Sequence, residues 1–183
     1  MSLEIVIGPM FSGKSSYALN YIRRRKAIKK QVIVIKPNID NRYSNSNVIV
    51  THDNESAPCY IWDYTKELEV VPVMFDVDYI LFEESQFFKG LLKIVKKLML
   101  QYGKNVVVVG LDGDAHQRPF GEILDCIPWA SNVIKLNAMC SRCNDGTLAH
   151  YTRRIIDNHS DQVEVGGQDK YESICLKHLC YIE

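Results

Sequence analysis

The sequence predicts an α/β fold: a mostly parallel sheet flanked by helices, with a small metal-bound segment at the C-terminal end. Three observations carry that prediction. A glycine-rich loop sits between an apolar strand and a helix. Further continuous apolar runs follow, separated by helical or loop segments. Two pairs of metal-ligating residues stand well apart near the end of the chain.

The loop is Gly8-Pro9-Met10-Phe11-Ser12-Gly13-Lys14-Ser15, which fits G-x-x-x-x-G-K-[ST]. Before it, Leu3-Glu4-Ile5-Val6-Ile7 reads as a short strand; after it, residues 16–30 read as a helix with Leu19 and Ile22 on one face. Strand, loop and helix in this order make the phosphate-cradling context of the motif, and place the sheet in the P-loop (RecA-like) class. Gly8 and Gly13 permit a tight turn whose backbone N–H groups aim at phosphate oxygens, at the positive end of the helix dipole. Lys14 brings a charge toward the outer phosphates, and the Ser15 hydroxyl is placed to ligate Mg²⁺. The chain is therefore expected to bind a nucleoside triphosphate.

Residues 31–35 and 106–109 are continuous apolar runs, as in strands buried on both faces, and residues 133–136 read as the last strand of the sheet. Residues 77–82 form another, ending in Glu83-Glu84; acids at the C-terminal end of a parallel strand stand where open α/β sheets place their ligands. This acid-bearing strand is expected to adjoin the glycine-loop strand. Residues 91–102 repeat apolar residues at helical spacing and stop at Gly103. Residues 37–47 are a polar loop holding Asp40 and Arg42, followed by a short strand at 48–51.

With 22 basic and 22 acidic residues, no charge excess argues for nucleic acid or an anionic membrane surface. The cluster Arg23-Arg24-Arg25-Lys26 with Lys29 and Lys30 reads as a solvated helix face, because no aromatic residues interleave to stack bases. A zinc-ribbon nucleic-acid-dependent NTPase would need a basic face that is missing here. No apolar run reaches the ~20 residues that span a bilayer, and the N-terminus lacks a signal-peptide pattern, so a cytoplasmic location is expected.

In that reducing compartment, six cysteines are expected as thiols or metal ligands rather than disulfides. Cys140 and Cys143 form a C-x-x-C knuckle, and Cys175 and His178 a C-x-x-H pair, together a tetrahedral structural Zn²⁺ set. Cys180 is an alternative fourth ligand, and a redox-active C-x-x-C is the rival reading. The span between the pairs has few large apolar groups, so metal binding would hold it, at ~10–16 kcal/mol in small zinc modules.

Taken together, the glycine loop, Glu84-Ser85-Gln86-Phe87-Phe88, Leu111-Asp112-Gly113, Pro119-Phe120-Gly121, Tyr151-Thr152-Arg153-Arg154 and Gly166-Gly167-Gln168-Asp169-Lys170-Tyr171 resemble the cytosolic type II thymidine kinases. The likeness runs in order over nearly the whole chain. It implies a P-loop kinase domain at residues 1–136 and a zinc-binding lasso domain at 137–183. It implies an ATP:thymidine 5′-phosphotransferase, with deoxyuridine as a second substrate, deoxythymidine triphosphate (dTTP) as feedback inhibitor and a homotetrameric state.

By the same likeness Glu84, Lys14 and Arg42 are catalytic, Glu84 accepting the proton of the 5′-hydroxyl. Residues 8–15 with Asp40 and Glu83 hold ATP and Mg²⁺. The nucleoside pocket is built from Met10, Phe87, Leu111, Ala115, Phe120, Thr152 and Tyr171, and the lasso segment Gln162, Val163, Glu164, Val165 and Gly166 meets the pyrimidine edge. Two residues depart from the family pattern: Glu83 stands where Asp is usual, and Ala115 where an aromatic ring normally lines the pocket.

Overall fold

The structure is a computed structural model and describes residues 1–39, 47–50, 55–155, 162–164 and 166–180. Asp40, Arg42 and Val165 lie outside the described residues.

In chain order the elements are β1 (Ser2–Ile7), α1 (Lys14–Ala27), β2 (Val32–Pro37), β3 (Val48–Val50), β4 (Ser56–Pro58), β5 (Tyr60–Trp62) and β6 (Tyr79–Phe82). There follow α2 (Leu91–Leu100), β7 (Asn105–Gly110), β8 (Asn132–Lys135), β9 (Ala138–Met139), β10 (Leu148–Ala149), β11 (Tyr151–Arg154), β12 (Tyr171–Ile174) and α3 (Leu176–Cys180). Six strands form one sheet in the order β5-β2-β6-β7-β1-β8, and every pairing in it is parallel. The acid-bearing strand β6 does not adjoin β1, as the sequence suggested. Strand β7 lies between them, because the crossover through α2 returns the chain to the slot beside β1.

The continuous apolar runs follow from burial on both faces. Successive side chains of a strand point to opposite sides. Leu3 and Ile5, Ile80 and Phe82, and Val106 and Val108 therefore pack on one face, against Leu91, Ile94, Val95 and Leu98 of α2. Val6, Leu81, Val107 and Val109 pack on the other, against Ala18, Leu19 and Ile22 of α1. The sheet is thus a middle layer, and all loops at its C-terminal edge open in one direction.

Helix α1 ends at Ala27, three residues before the expected stop. Lys29 adopts φ 60°, and the amides of Ile28 and Lys30 both turn back onto the Arg25 carbonyl. The basic cluster is largely exposed, as expected, except that Arg25 stacks over the rings of Tyr21 and Tyr79, 4.3 and 5.0 Å from their centroids. Strands β4 and β5 were not expected. Strand β4 pairs with β3 outside the main sheet, and β5 extends the sheet edge beside β2. Among the described residues no helix is long and apolar enough to cross a membrane.

Beyond β8, the hairpins β9–β10 and β11–β12 and the short helix α3 share a small cluster of Ala138, Cys140, Ala149, Ile174 and Cys175. Two of those five are cysteines, so packing alone gives this segment little stability.

Helix α2 has no N-cap side chain of its own, since Gly90 occupies that position. Its free amides are met from elsewhere: the Glu122 carboxylate accepts from Gly90 N–H (2.8 Å) and Leu92 N–H (3.0 Å). A negative charge at a helix N-terminus also favours the dipole. Glu122→Ala should therefore cost about 1 kcal/mol, lowering the thermal midpoint by roughly 2–4 °C in a chain of this size, as read by calorimetry. An unchanged midpoint would show that water replaces the carboxylate at no loss.

Candidate active site

The phosphate-type loop spans the gap between β1 and α1. A side chain at Gly8 could not fit: its Cβ would lie 2.4 Å from the Leu136 carbonyl oxygen, and its φ is +153°. Gly13, at φ 81°, turns the chain into α1. The Lys14 ammonium lies across the loop, donating to the carbonyls of Pro9 (2.6 Å) and Gly8 (3.1 Å). The Ser15 hydroxyl reaches over β7 to Glu83 and donates to its Oε1 at 2.9 Å. Serine oxygen and carboxylate oxygen at this separation form a donor set suited to a hard, oxygen-seeking cation such as Mg²⁺.

Glu83 and Glu84 leave the end of β6 with different surroundings. Glu83 is 5% exposed, and its N–H continues the ladder by donating to the Ile35 carbonyl. Glu84 sits in the left-handed region (φ 52°, ψ 45°) at the head of a tight turn through residues 85–87. Its Oε2 accepts a 2.6 Å bond from the side-chain amide of Gln86.

A cavity of about 430 Å³ joins these groups to an aromatic compartment. Lys14, Ser15, Glu83 and Glu84 line it together with Phe11 to Gly13 of the loop, and Met10 lies where the loop meets Thr152. Phe87, Leu111, Ala115, Phe120 and Thr152 line the aromatic compartment, with Phe87 and Phe120 edge to face at 5.4 Å. Gln162, Val163, Glu164, Gly166 and Tyr171 close the rim. Gly8 and Pro9 support the loop from behind and are not part of the lining.

Specific bonds hold the rim in place. The Met10 N–H donates to Thr152 Oγ1 at 2.9 Å, tying the loop to β11. Tyr171 Oη donates to the Glu164 carbonyl at 2.6 Å, and Lys170 pairs with the Glu164 carboxylate at 2.8 Å. Gln162 Nε2 donates to Asp114 Oδ2 at 3.0 Å. Burial opposes ionisation of Asp114, but the amides of Arg118 and His116 and the side chains of Gln162 and Arg118 hold its carboxyl below the usual range.

Eight cavity residues were not singled out as site residues from the sequence, and three of them, Lys36, Gln86 and Asp114, are buried and polar. Lys36 is buried at the C-terminal end of β2, where a lysine closing an apolar run was the available signal. Gln86 and Asp114 are buried polar residues that each have, besides local partners, one far along the chain. No local pattern could have found them.

The metal-type residues do converge. Ligand atoms of Cys140, Cys143, Cys175 and His178 all lie within 4.8 Å of one another. His178 Nδ1 is 3.5 Å from each of the three sulfurs, and the sulfurs of Cys143 and Cys175 are 3.7 Å apart. A tetrahedron with Zn–S of ~2.3 Å has edges of roughly 3.8 Å, so the set fits zinc. Cys180 is exposed and outside this cluster. Burial disfavours the Cys140 thiolate, yet backbone amides of Cys143, Cys175 and Arg142 lower it to about 6. Burial and the adjacent sulfurs push Cys143 up to about 11. Glu172 braces the knuckle against the hairpin, bonded to Arg142 (3.0 Å) and Arg153 (2.7 Å).

Comparison with known proteins points the same way as the cavity. The family model described as thymidine kinase matches residues 1–179. "Thymidine kinase, cytosolic" of Homo sapiens is 37% identical over 185 residues, covering 99% of this chain and 73% of that protein. The thymidine kinase of Yaba monkey tumor virus is 35% identical over 181 residues (99% and 94%), and that of Monkeypox virus 34% (99% and 97%). On the family match and these identities, the chain belongs to the thymidine kinase family.

Proposed function

We propose that this chain transfers the γ-phosphoryl group of ATP to the 5′-hydroxyl of thymidine, giving dTMP and ADP. The observation that supports it best is the single cavity, in which a lysine-bearing phosphate loop and two strand-end carboxylates share space with an aromatic compartment of nucleoside size. Residues 1–136 act as the kinase domain and 137–183 as the zinc-binding lasso. Deoxyuridine is a second substrate, and dTTP inhibits by lying across the nucleoside and phosphate sites. The working assembly is a homotetramer in the cytoplasm.

The loop amides and Lys14 hold the β- and γ-phosphates, with Arg42 as a further catalytic residue and Asp40 as a further residue for ATP and Mg²⁺. Ser15 and Glu83 hold Mg²⁺, which when bound offsets the charge spread over the phosphate oxygens. Glu84 orients the 5′-hydroxyl and accepts its proton as the new O–P bond forms and the bond to ADP breaks. Phe87 and Phe120, packed edge to face, form one wall of the base region, while Met10, Leu111, Thr152 and Tyr171 set its size limit. Backbone groups of residues 162–166 pair with the pyrimidine edge, so that discrimination needs few polar side chains. Ala115 leaves room beside the base where the family carries a ring.

The assay is phosphorylation of labelled thymidine with ATP and Mg²⁺. Glu84→Gln should lower kcat by roughly 10²–10⁴-fold, the span of general-base contributions, with thymidine affinity kept; undiminished turnover would remove Glu84 from that role. Purified protein should carry about one zinc per chain by elemental analysis. Cys143→Ser or a strong chelator should release it and abolish thymidine binding in calorimetry, since the lasso is held by the metal. Intact binding after full zinc loss would overturn that dependence. Ala115→Phe should lower KM for thymidine about fivefold through added ring contact, and reject substrates with bulky 5-substituents. An unchanged substrate panel would show that residue 115 does not touch the base.

A further inference from the structure

Glu84 is held in a left-handed backbone conformation (φ 52°) that is unfavourable for an ordinary side chain and persists only where its surroundings over-determine it. Among the described contacts of Glu84 one residue stands out, Gln86. Its side chain is buried (4% exposed) and bonded at both ends. Nε2 donates to Glu84 Oε2 at 2.6 Å, and Oε1 accepts the backbone N–H of Leu111 at 3.0 Å. Each partner admits only one orientation of the amide: a carboxylate can only accept and a backbone N–H can only donate. The amide therefore cannot flip without losing both bonds.

The fold makes room for this arrangement at two glycines. A Cβ on Gly110, the last residue of β7, would stand 2.5 Å from Gln86 Oε1. A Cβ on Gly121, at φ +63°, would stand 2.3 Å from the Gln86 carbonyl oxygen. Leu111, which anchors the far end of the amide, lines the same cavity as Glu84.

We infer that Gln86 is the positioning residue of the phosphoryl-transfer site, locking the Glu84 carboxylate to the end of β7 at the wall of the cavity. This rests on the reading of Glu84 as proton acceptor. Misplacement of a reacting group by ~1 Å is enough to cost about 10²-fold in rate.

The test is a double-mutant cycle on the full chain, measuring kcat and KM with thymidine, ATP and Mg²⁺. Gln86→Glu keeps an acceptor for Leu111 N–H but sets a carboxylate against Glu84; Gln86→Met removes both bonds at similar volume. Each should lower kcat about 10²-fold, with KM for thymidine within about threefold of wild type. In the Glu84→Gln background, Gln86→Met should change the residual turnover less than about twofold, because a residue acting through Glu84 has nothing left to act on. Wild-type turnover by Gln86→Glu, or a second full loss on top of Glu84→Gln, would overturn the inference while leaving the base assignment standing. Wild-type turnover by Glu84→Gln alone would overturn both.

Discussion

The bond from Met10 N–H to Thr152 Oγ1, 2.9 Å long and buried, joins residues 142 positions apart. Without it the phosphate loop and the C-terminal hairpins would be neighbours by chance. The N–H belongs to a loop that cannot satisfy it internally while its amides face a ligand. Leaving such a donor buried and unmet costs about 1–3 kcal/mol, more than the ~1 kcal/mol a formed bond contributes. Thr152 pairs with Ser173 in the β11–β12 ladder, and β12 leads directly into Cys175. The metal-type cluster follows the hairpin end at Ile174 and the phosphate loop is bonded one residue further along at Thr152, so the two are mechanically coupled through the ladder. This explains why a segment with so small a core can still present Gln162 to Glu164 and Tyr171 at a defined place on the cavity rim.

The legible part of the sequence was the part written in short-range patterns. Strand β1, its loop and α1 follow from residue spacing, and both sheet faces follow from runs such as Val106 to Val109 that are apolar at every position. The three sulfurs and one imidazole could be paired from two spacings, although the choice of His178 over Cys180 needed coordinates. Strands β4 and β5 are three residues each, too short for a period of two to declare itself. The insertion of β7 between β1 and β6 is a matter of crossover topology, which no local pattern encodes. Nearly every named lining residue within the described stretches does border the one cavity. What could not be read were the buried polar residues that hold those side chains still. Gln86 reaches Leu111 across 25 positions and Gln162 reaches Asp114 across 48, and a buried amide or carboxylate has no periodicity to betray it.

Backbone strain marks the same place from another direction. Among the described residues, five non-glycine residues have positive φ: Phe11, Lys29, Glu84, Gln117 and Asn144. Lys29 and Asn144 serve ordinary turns, at the end of α1 and in the C-x-x-C knuckle. Phe11 and Glu84 line the cavity, and Gln117 bonds through its side chain to the Thr152 carbonyl at 3.3 Å. An isolated aromatic or acidic residue in this region is unfavourable and would relax if its neighbours allowed it. For Phe11 the constraint is the flanking loop, pinned by the Met10 amide on one side and the Ser12 hydroxyl, which donates to the Pro9 carbonyl at 2.8 Å, on the other. For Glu84 it is the buried amide two residues on.

Both strained residues thus line the cavity, and both lie in stretches fixed by hydrogen bonds. A site that holds both reacting partners by rigid walls keeps little reorganisation for the moment of transfer, which is the physical content of preorganisation. The stabilities of the two walls differ in origin. The loop wall rests on a strand buried on both faces, whereas the rim opposite rests on a hairpin whose own core is five residues and two of them thiols. Opening of the site should therefore begin at the rim, where local unfolding is cheapest in free energy. Ligand entry then requires no disturbance of the sheet that carries Lys14, Ser15, Glu83 and Glu84.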